Sequence, residues 1–458
     1  MNDITAFFAF LKYCLGYKGD MSRVITGMDW QELYSFASKQ ALLGLCFDGI
    51  ERLGKEYSEE LKQNPIEREL LMTWMGKAQQ IRRQNMKVNA VASKLFSMLR
   101  EDGMRCCVLK GQGNALMYPN PYSRTPGDID VWIDASRERI MEYAQKEFEL
   151  EDDIRLQHQE TSLDGVPVEL HFFPCSMNNP IYHARLQKWF RRNADLQCSH
   201  IVGLPDEAGD VAVPTTAFNV IYQLTHLYHH FFDEGIGMRQ IIDYFLVVND
   251  FSKNVFLNND LSNYPVNFSN HPVPLSKEGS TFSPSPSSSG SGDVTAPSRC
   301  SEPLRSKDGG PSKVSPDCAG WDRLAIEGDN SAGSTTVVTS SASSALVVVQ
   351  RELKYLGLWK FARAVMYVLH ETLGLSDEKM MAPMDEKRGK LLLAEILNGG
   401  NFGRHFTKYG HFTQQGMAKK YFLKIWRNMH FVRYYPAEAL SEPIFRTWHF
   451  FWRLKHRR

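Results

Sequence analysis

"RTPGDIDVWID", residues 124–134, sets two acids one residue apart inside a run that otherwise reads as a buried β-strand. Successive side chains of a strand point to opposite faces, so Asp128 and Asp130 share one face and Ile129 and Val131 the other. Two adjacent carboxylates repel, and one takes up a proton unless a cation bridges them. Hard divalent cations favour such oxygens, which makes the pair a candidate Mg²⁺ site.

Downstream, Asp164-Gly165 separates the extended segments "IRLQHQETSL" and "VPVELHFF". A two-residue Asp-Gly loop in that setting predicts a β-hairpin. In its second arm Glu169 is the lone acid, with Val168 and Leu170 facing away. Asp128, Asp130 and Glu169 on adjacent strands would form a divalent-metal cradle. The plainer alternative leaves Asp128 at a solvated strand edge and turns the other two acids to water.

Upstream, "MRCCVLKG" is a short apolar run closed by Gly111, which suits a buried strand entering a turn. A small-residue helix near 112–118 follows, and "SRERIMEYAQKEF" beyond the acidic strand reads as an amphipathic helix. The flanks keep helical periodicity up to Gly103 and again over 215–250. Between 271 and 320 stand 13 Ser, 8 Pro and 6 Gly, a composition too poor in apolar residues to join a core.

The expected fold is therefore α+β: a small mixed β-sheet core over 103–213 with helical regions on both sides. The N-terminal helical region covers 1–102, and the C-terminal helical domain covers 214–252 and 343–458. A disordered low-complexity insertion is expected over 253–342.

With 458 residues, 43% hydrophobic residues and a formal net charge of +1, the totals argue against both a disordered chain and a specific nucleic-acid binder. The eight cysteines show no zinc or disulfide spacing. The N-terminal stretch lacks the basic region and cleavage site of a signal peptide. No run approaches the roughly 18–20 apolar residues that span a bilayer. A cytoplasmic location is expected.

A glycine after a strand, then an Asp-x-Asp strand, then an acid on a later strand resembles the polymerase-β-type nucleotidyltransferase superfamily. "LKGQGNALMYPNPYSRTPGDIDVWID", "VELH" and "GMRQIIDYFL" resemble more closely its uncharacterised bacterial nucleotidyltransferase family. The resemblance implies that Asp128, Asp130 and Glu169 hold Mg²⁺ (or Mn²⁺) against an NTP. It also implies that Glu169 helps deprotonate an acceptor hydroxyl on a small molecule, sugar or protein, and that pyrophosphate leaves. Lys110, Gly111, Gly113 and Arg124 would bind the nucleotide, Gly111 by letting backbone N–H groups approach phosphate.

This chain has Gly111-Gln112-Gly113 where the superfamily usually has Gly followed by Gly or Ser. Lys110 and Arg124 could supply the missing phosphate contacts or be ordinary loop charge. The second functional reading is a catalytically weak, nucleotide-sensing or interaction protein.

Three further features stand out. His226, His229 and His230 share a helix at ligand spacing, although packing is the plainer role. Arg239 and Asp243 are spaced for a helical ion pair or to brace the cleft. Residues 401–458 hold 12 Lys/Arg against 2 Asp/Glu. Ile444, Phe445, Trp448, Phe451 and Trp452 there share one helical face, which would either pack on its own domain or make peripheral membrane or polyanion contact.

Overall fold

Alternation about Asp130 builds a four-stranded mixed sheet from β1 (Cys106–Leu109), β2 (Ile129–Ile133), β3 (His158–Leu163) and β4 (Val166–His171), ordered β1-β2-β4-β3. β1 runs antiparallel to β2, β2 parallel to β4, and β4 antiparallel to β3. Asp164 and Gly165 turn the β3–β4 hairpin with φ of +50° and +72°, the positive pair that a tight hairpin requires. The computed structural model describes residues 4–150, 155–257, 336–405 and 417–456.

Six helices precede the sheet: α1 (Ile4–Cys14), α2 (Ser22–Thr26), α3 (Trp30–Lys39), α4 (Leu43–Glu56), α5 (Ser58–Gln63) and α6 (Arg68–Glu101). Within the α/β region lie α7 (Gly111–Ala115), α8 (Arg137–Glu147) and α9 (Pro180–Ser199), followed by a ribbon of β5 (Ile201–Gly203) and β6 (Asp210–Ala212). Side-chain caps set the starts of the longer helices: Ser136 accepts from Arg139 N, and Asn179 from Ile181 N and Tyr182 N. Then come α10 (Thr216–Asp233), α11 (Met238–Leu257), α12 (Thr336–Tyr355), α13 (Trp359–Leu373), α14 (Glu386–Gly399), α15 (Met417–Met429) and α16 (Pro436–His456).

Period-two alternation divides the sheet between two cores. Val108, Ile129, Val131, Ile133, Val168 and Leu170 bury against Val88, Leu95 and Leu99 of α6 and Ile140 of α8. Cys107, Leu109 and Trp132 face the opposite, larger core. There Trp132 stacks on Phe218 with ring centroids 6.2 Å apart, and Phe218 stacks on Trp189 at 4.7 Å. Each such pair adds about 0.5–1.5 kcal/mol beyond area burial. Asp130 shares Trp132's side of the sheet, one alternation nearer the strand's start.

The larger core joins both ends of the chain, taking in Phe7, Leu33, Trp74, Trp189, Tyr222, Phe361 and Tyr435. Gln40 ties them together: its Nε2 donates to Ile396 O at 3.1 Å, and its Oε1 accepts from Met238 N at 2.8 Å.

The segment expected to be disordered, 253–342, lies mostly outside the described residues. Its two margins are helical, because α11 continues to Leu257 and α12 begins at Thr336. The C-terminal aromatic face is split. Phe445 and Trp452 are half-buried, with the Arg137 guanidinium 5.4 Å from the Trp452 ring, whereas Ile444, Trp448 and Phe451 are exposed. Pro443 lies inside α16, which starts at Pro436, a first-turn position that tolerates proline. No helix among the described residues is long and apolar enough to cross a membrane.

Candidate functional site

Strand register brings the acids together. Asp130 on β2 pairs with Glu169 on parallel β4, and Glu160 on β3 faces Glu169 from the other side. β2 begins at Ile129, so Asp128 is exposed at its lead-in while Asp130 is buried. The three expected acids thus occupy one end of the face that Trp132 covers further along.

Lys110 follows β1 with φ +52° and ψ −134°, a costly conformation for a residue with a Cβ. It carries Nζ to 2.9 Å from Asp130 Oδ1 and 2.7 Å from His226 Nε2. Burial would depress the Lys110 ammonium, but the carboxylates of Asp130, Asp128 and Glu169 outweigh it and raise its pKa. Burial likewise pushes Asp130 up, yet Lys110 and His171 hold it well below the usual carboxylate range. Asp128 is pushed up to about 6, first by the charge on Asp130 and then by burial.

His171, two residues beyond Glu169 and so on the same face, was not among the expected site residues. Its Nε2 lies 3.1 Å from Asp130 Oδ1 and 3.0 Å from Glu169 Oε2. These bonds outweigh burial and raise its pKa to about 9, so it bridges the two acids as a cation. His158, paired with His171 across β3–β4, is instead lowered to about 4 by burial and by His171's charge.

Arg124 is fully engaged on one edge. Its Nε and Nη2 donate to Asp243 Oδ1 and Oδ2 at 2.9 and 2.7 Å, and Tyr118 OH adds a bond to Asp243 Oδ1 at 2.8 Å. Asp243 therefore pairs with Arg124 rather than with Arg239 one turn away, whose Nη1 donates to Thr125 O at 2.8 Å. Asn85 Nδ2 fixes the same loop through the carbonyls of Tyr122 and Arg124, at 3.0 and 2.8 Å.

Arg124, Arg239, Asp243, Asp128 and Asp130 line a small cleft with Lys110, Gly111, Asn114, Gln223, His226 and Gln240. Arg124 Nη1, Arg239 Nε and Gln240 Nε2, on cleft-lining side chains, are buried and have no hydrogen-bond partner. Gly111, with φ +42°, lines the cleft. Gly113 does not, because a Cβ there would meet Val213 Cγ1 at 3.0 Å, on the packed side of α7. His226 belongs to the cleft wall and is held neutral by burial and by Lys110. His230 packs edge-on behind it, with ring centroids 4.3 Å apart and its Nε2 3.0 Å from His226 Nε2.

No curated protein and no solved structure matches the chain. A family model described as uncharacterised nucleotidyltransferase matches residues 26–262, just over half of the chain. The matched segment contains the whole sheet, the Lys110 turn, the three acids and the Arg124–Asp243 pair, and it carries nucleotidyl transfer as its general function. The chain belongs to this uncharacterised nucleotidyltransferase family.

Proposed function

We propose that the cleft moves a nucleoside monophosphate from an NTP to an acceptor hydroxyl. The acceptor oxygen forms a bond to the α-phosphorus, the α–β bridging bond breaks, pyrophosphate leaves, and the hydroxyl proton passes to a carboxylate. The observation that carries this reading is the pairing of unpartnered donors with clustered acids in one cleft. Arg124, Arg239 and Gln240 offer buried N–H groups suited to phosphate oxygens, Asp128 and Asp130 line the same cleft, and Glu169 pairs with Asp130 on the adjacent strand.

The donor set fits Mg²⁺ or Mn²⁺, since Asp128 is held up to about 6 by repulsion from Asp130, a penalty that a hard cation relieves. Asp128, Asp130 and Glu169 would hold it, and when bound it supplies charge neutralisation for the triphosphate and for the developing alkoxide. Lys110 orients Asp130 and adds a cation beside the phosphates. Glu169, less buried than Asp130, takes the acceptor's proton.

The acceptor class is a small molecule, a sugar or a protein side chain. Incubating the protein with each α-labelled NTP, Mg²⁺ or Mn²⁺ and a cell extract tests the proposal, with label expected on one acceptor and pyrophosphate in solution. The second reading, nucleotide sensing without turnover, draws on Gly113 facing Val213 instead of the cleft. Nucleotide binding with no pyrophosphate from any acceptor would support it.

A further inference from the structure

The β3–β4 hairpin carries a second constellation on the sheet face that holds Asp130. His158 and His171 are direct cross-strand partners, with ring centroids 5.0 Å apart. Glu169 lies on the same face of β4 as His171. Its Oε2 is 3.0 Å from His171 Nε2 and 3.4 Å from His158 Nδ1. One ligand atom from each of the three residues falls within 4.8 Å of the others.

Despite that proximity, His158 Nδ1 is buried and makes no hydrogen bond. A buried ring nitrogen aimed at a carboxylate without bonding to it is an unfavourable arrangement in a protein interior, and a shared cation removes the deficit. Four ligands about 2.0–2.1 Å from a tetrahedral ion stand roughly 3.3 Å apart. The spacings of Glu169 Oε2 to the two imidazoles bracket that value.

Two imidazoles and one carboxylate differ in kind from the all-oxygen pair at Asp128 and Asp130. Nitrogen ligands favour Zn²⁺-type ions, and carboxylates alone favour Mg²⁺. The far nitrogen of each ring has polar neighbours: Arg155 Nη1 lies 3.5 Å and Glu160 Oε1 3.9 Å from His158 Nε2, and Gln157 Nε2, an amide donor that also bonds Pro174 O, lies 3.4 Å from His171 Nδ1. Glu169 and His158 are both partly exposed, which leaves a route in from solvent.

We propose that His158 Nδ1, Glu169 Oε2 and His171 Nε2 form a binding site for a divalent transition cation of the Zn²⁺ type, which takes the place of the proton on His171 Nε2 and shares Glu169 with the hard-cation position at Asp128 and Asp130. Glu169 belongs to both ligand sets, so Zn²⁺ here competes with the transfer metal for that carboxylate, while its binding does not depend on whether the cleft turns over.

Equilibrium dialysis of the full chain against Zn²⁺ alone, with elemental analysis, tests it. The expected result is one Zn²⁺ per chain and a melting temperature raised by the metal. His158→Gln should bind Zn²⁺ at least roughly 100-fold more weakly, the upper end of what loss of a mere orienting partner costs, and should lose the metal-induced rise. Its melting temperature without metal should match the wild type, since His158 is partly exposed on an edge strand. Asp128→Asn should keep Zn²⁺ binding. Absence of bound Zn²⁺ in the wild type, undiminished binding by His158→Gln, or equal loss in Asp128→Asn would each overturn the assignment. A failure of Asp128→Asn to affect Mg²⁺–nucleotide binding would count against the transfer reading alone.

Discussion

Asp130 Oδ1 is held between two cations, with Lys110 Nζ at 2.9 Å and His171 Nε2 at 3.1 Å, while Asp128, two residues earlier on the same strand face, lies exposed at the cleft mouth. The two acids of one Asp-x-Asp motif therefore carry different structural loads, and their variants should separate.

Asp128→Asn should abolish transfer while leaving the melting temperature close to wild type, because it removes a charge that repels Asp130. Asp130→Asn should abolish transfer and also destabilise the fold by about 3–5 kcal/mol, since the buried His171 cation and the half-buried Lys110 lose their shared partner. Denaturant unfolding of both variants checks this, and equal stabilities would contradict the buried bridge.

Asp243→Asn should cost about 3–5 kcal/mol for the same reason, leaving Arg124 buried beside a neutral amide. Arg124→Lys should not rescue the geometry, because a point charge cannot make the two parallel bonds that Arg124 makes. Chemical denaturation gives the stability, and nucleotide titration should show weakened binding in both.

His171 has a folded pKa near 9, above its ordinary value. The stability it contributes is fully present below pH 6.5 and is lost as pH rises through about 9. Melting temperature should therefore decline across that alkaline window in the wild type, and the decline should shrink in His171→Asn. A window of unchanged slope in that variant would assign the loss to another group.

The two tryptophans of α16 should behave differently. Trp452→Ala removes a half-buried ring under Arg137 and should lower stability by about 1–2 kcal/mol, less than the roughly 3–5 kcal/mol of a full core aromatic. Trp448 is 50% exposed, so Trp448→Ala should stay within about 0.5 kcal/mol. Thermal melts of the two single variants decide between them.

The sheet was legible because strand alternation and an Asp-Gly turn are local signals, and Asp130 and Glu169 stood out as acids inside apolar strands. Lys110 was found through its neighbouring glycine. His171 was missed although it follows Glu169 by two residues, since a histidine in a strand carries no charge signal by itself. The Arg124–Asp243 pair spans 119 residues, and no local spacing could reveal it. The nearer Arg239 looked like the better partner for Asp243. Gly113 seemed to repeat Gly111's role, but two residues along a helix turn a side chain by about 200°, which points it at Val213 instead.

The shared core has a consequence for how the chain is made. α1 packs on α13, which begins at Trp359, and Gln40 waits for the carbonyl of Ile396. During translation, Phe7, Phe10 and Leu11 leave the ribosome long before the helices that cover them exist. Late-arriving contacts of this kind slow folding and leave apolar surface open to association. A fragment cut to the family-matched residues 26–262 would keep Lys110, Asp128, Asp130, Glu169 and Arg124 yet lose α1 and all of α12–α16, and so should emerge as an insoluble half of a core.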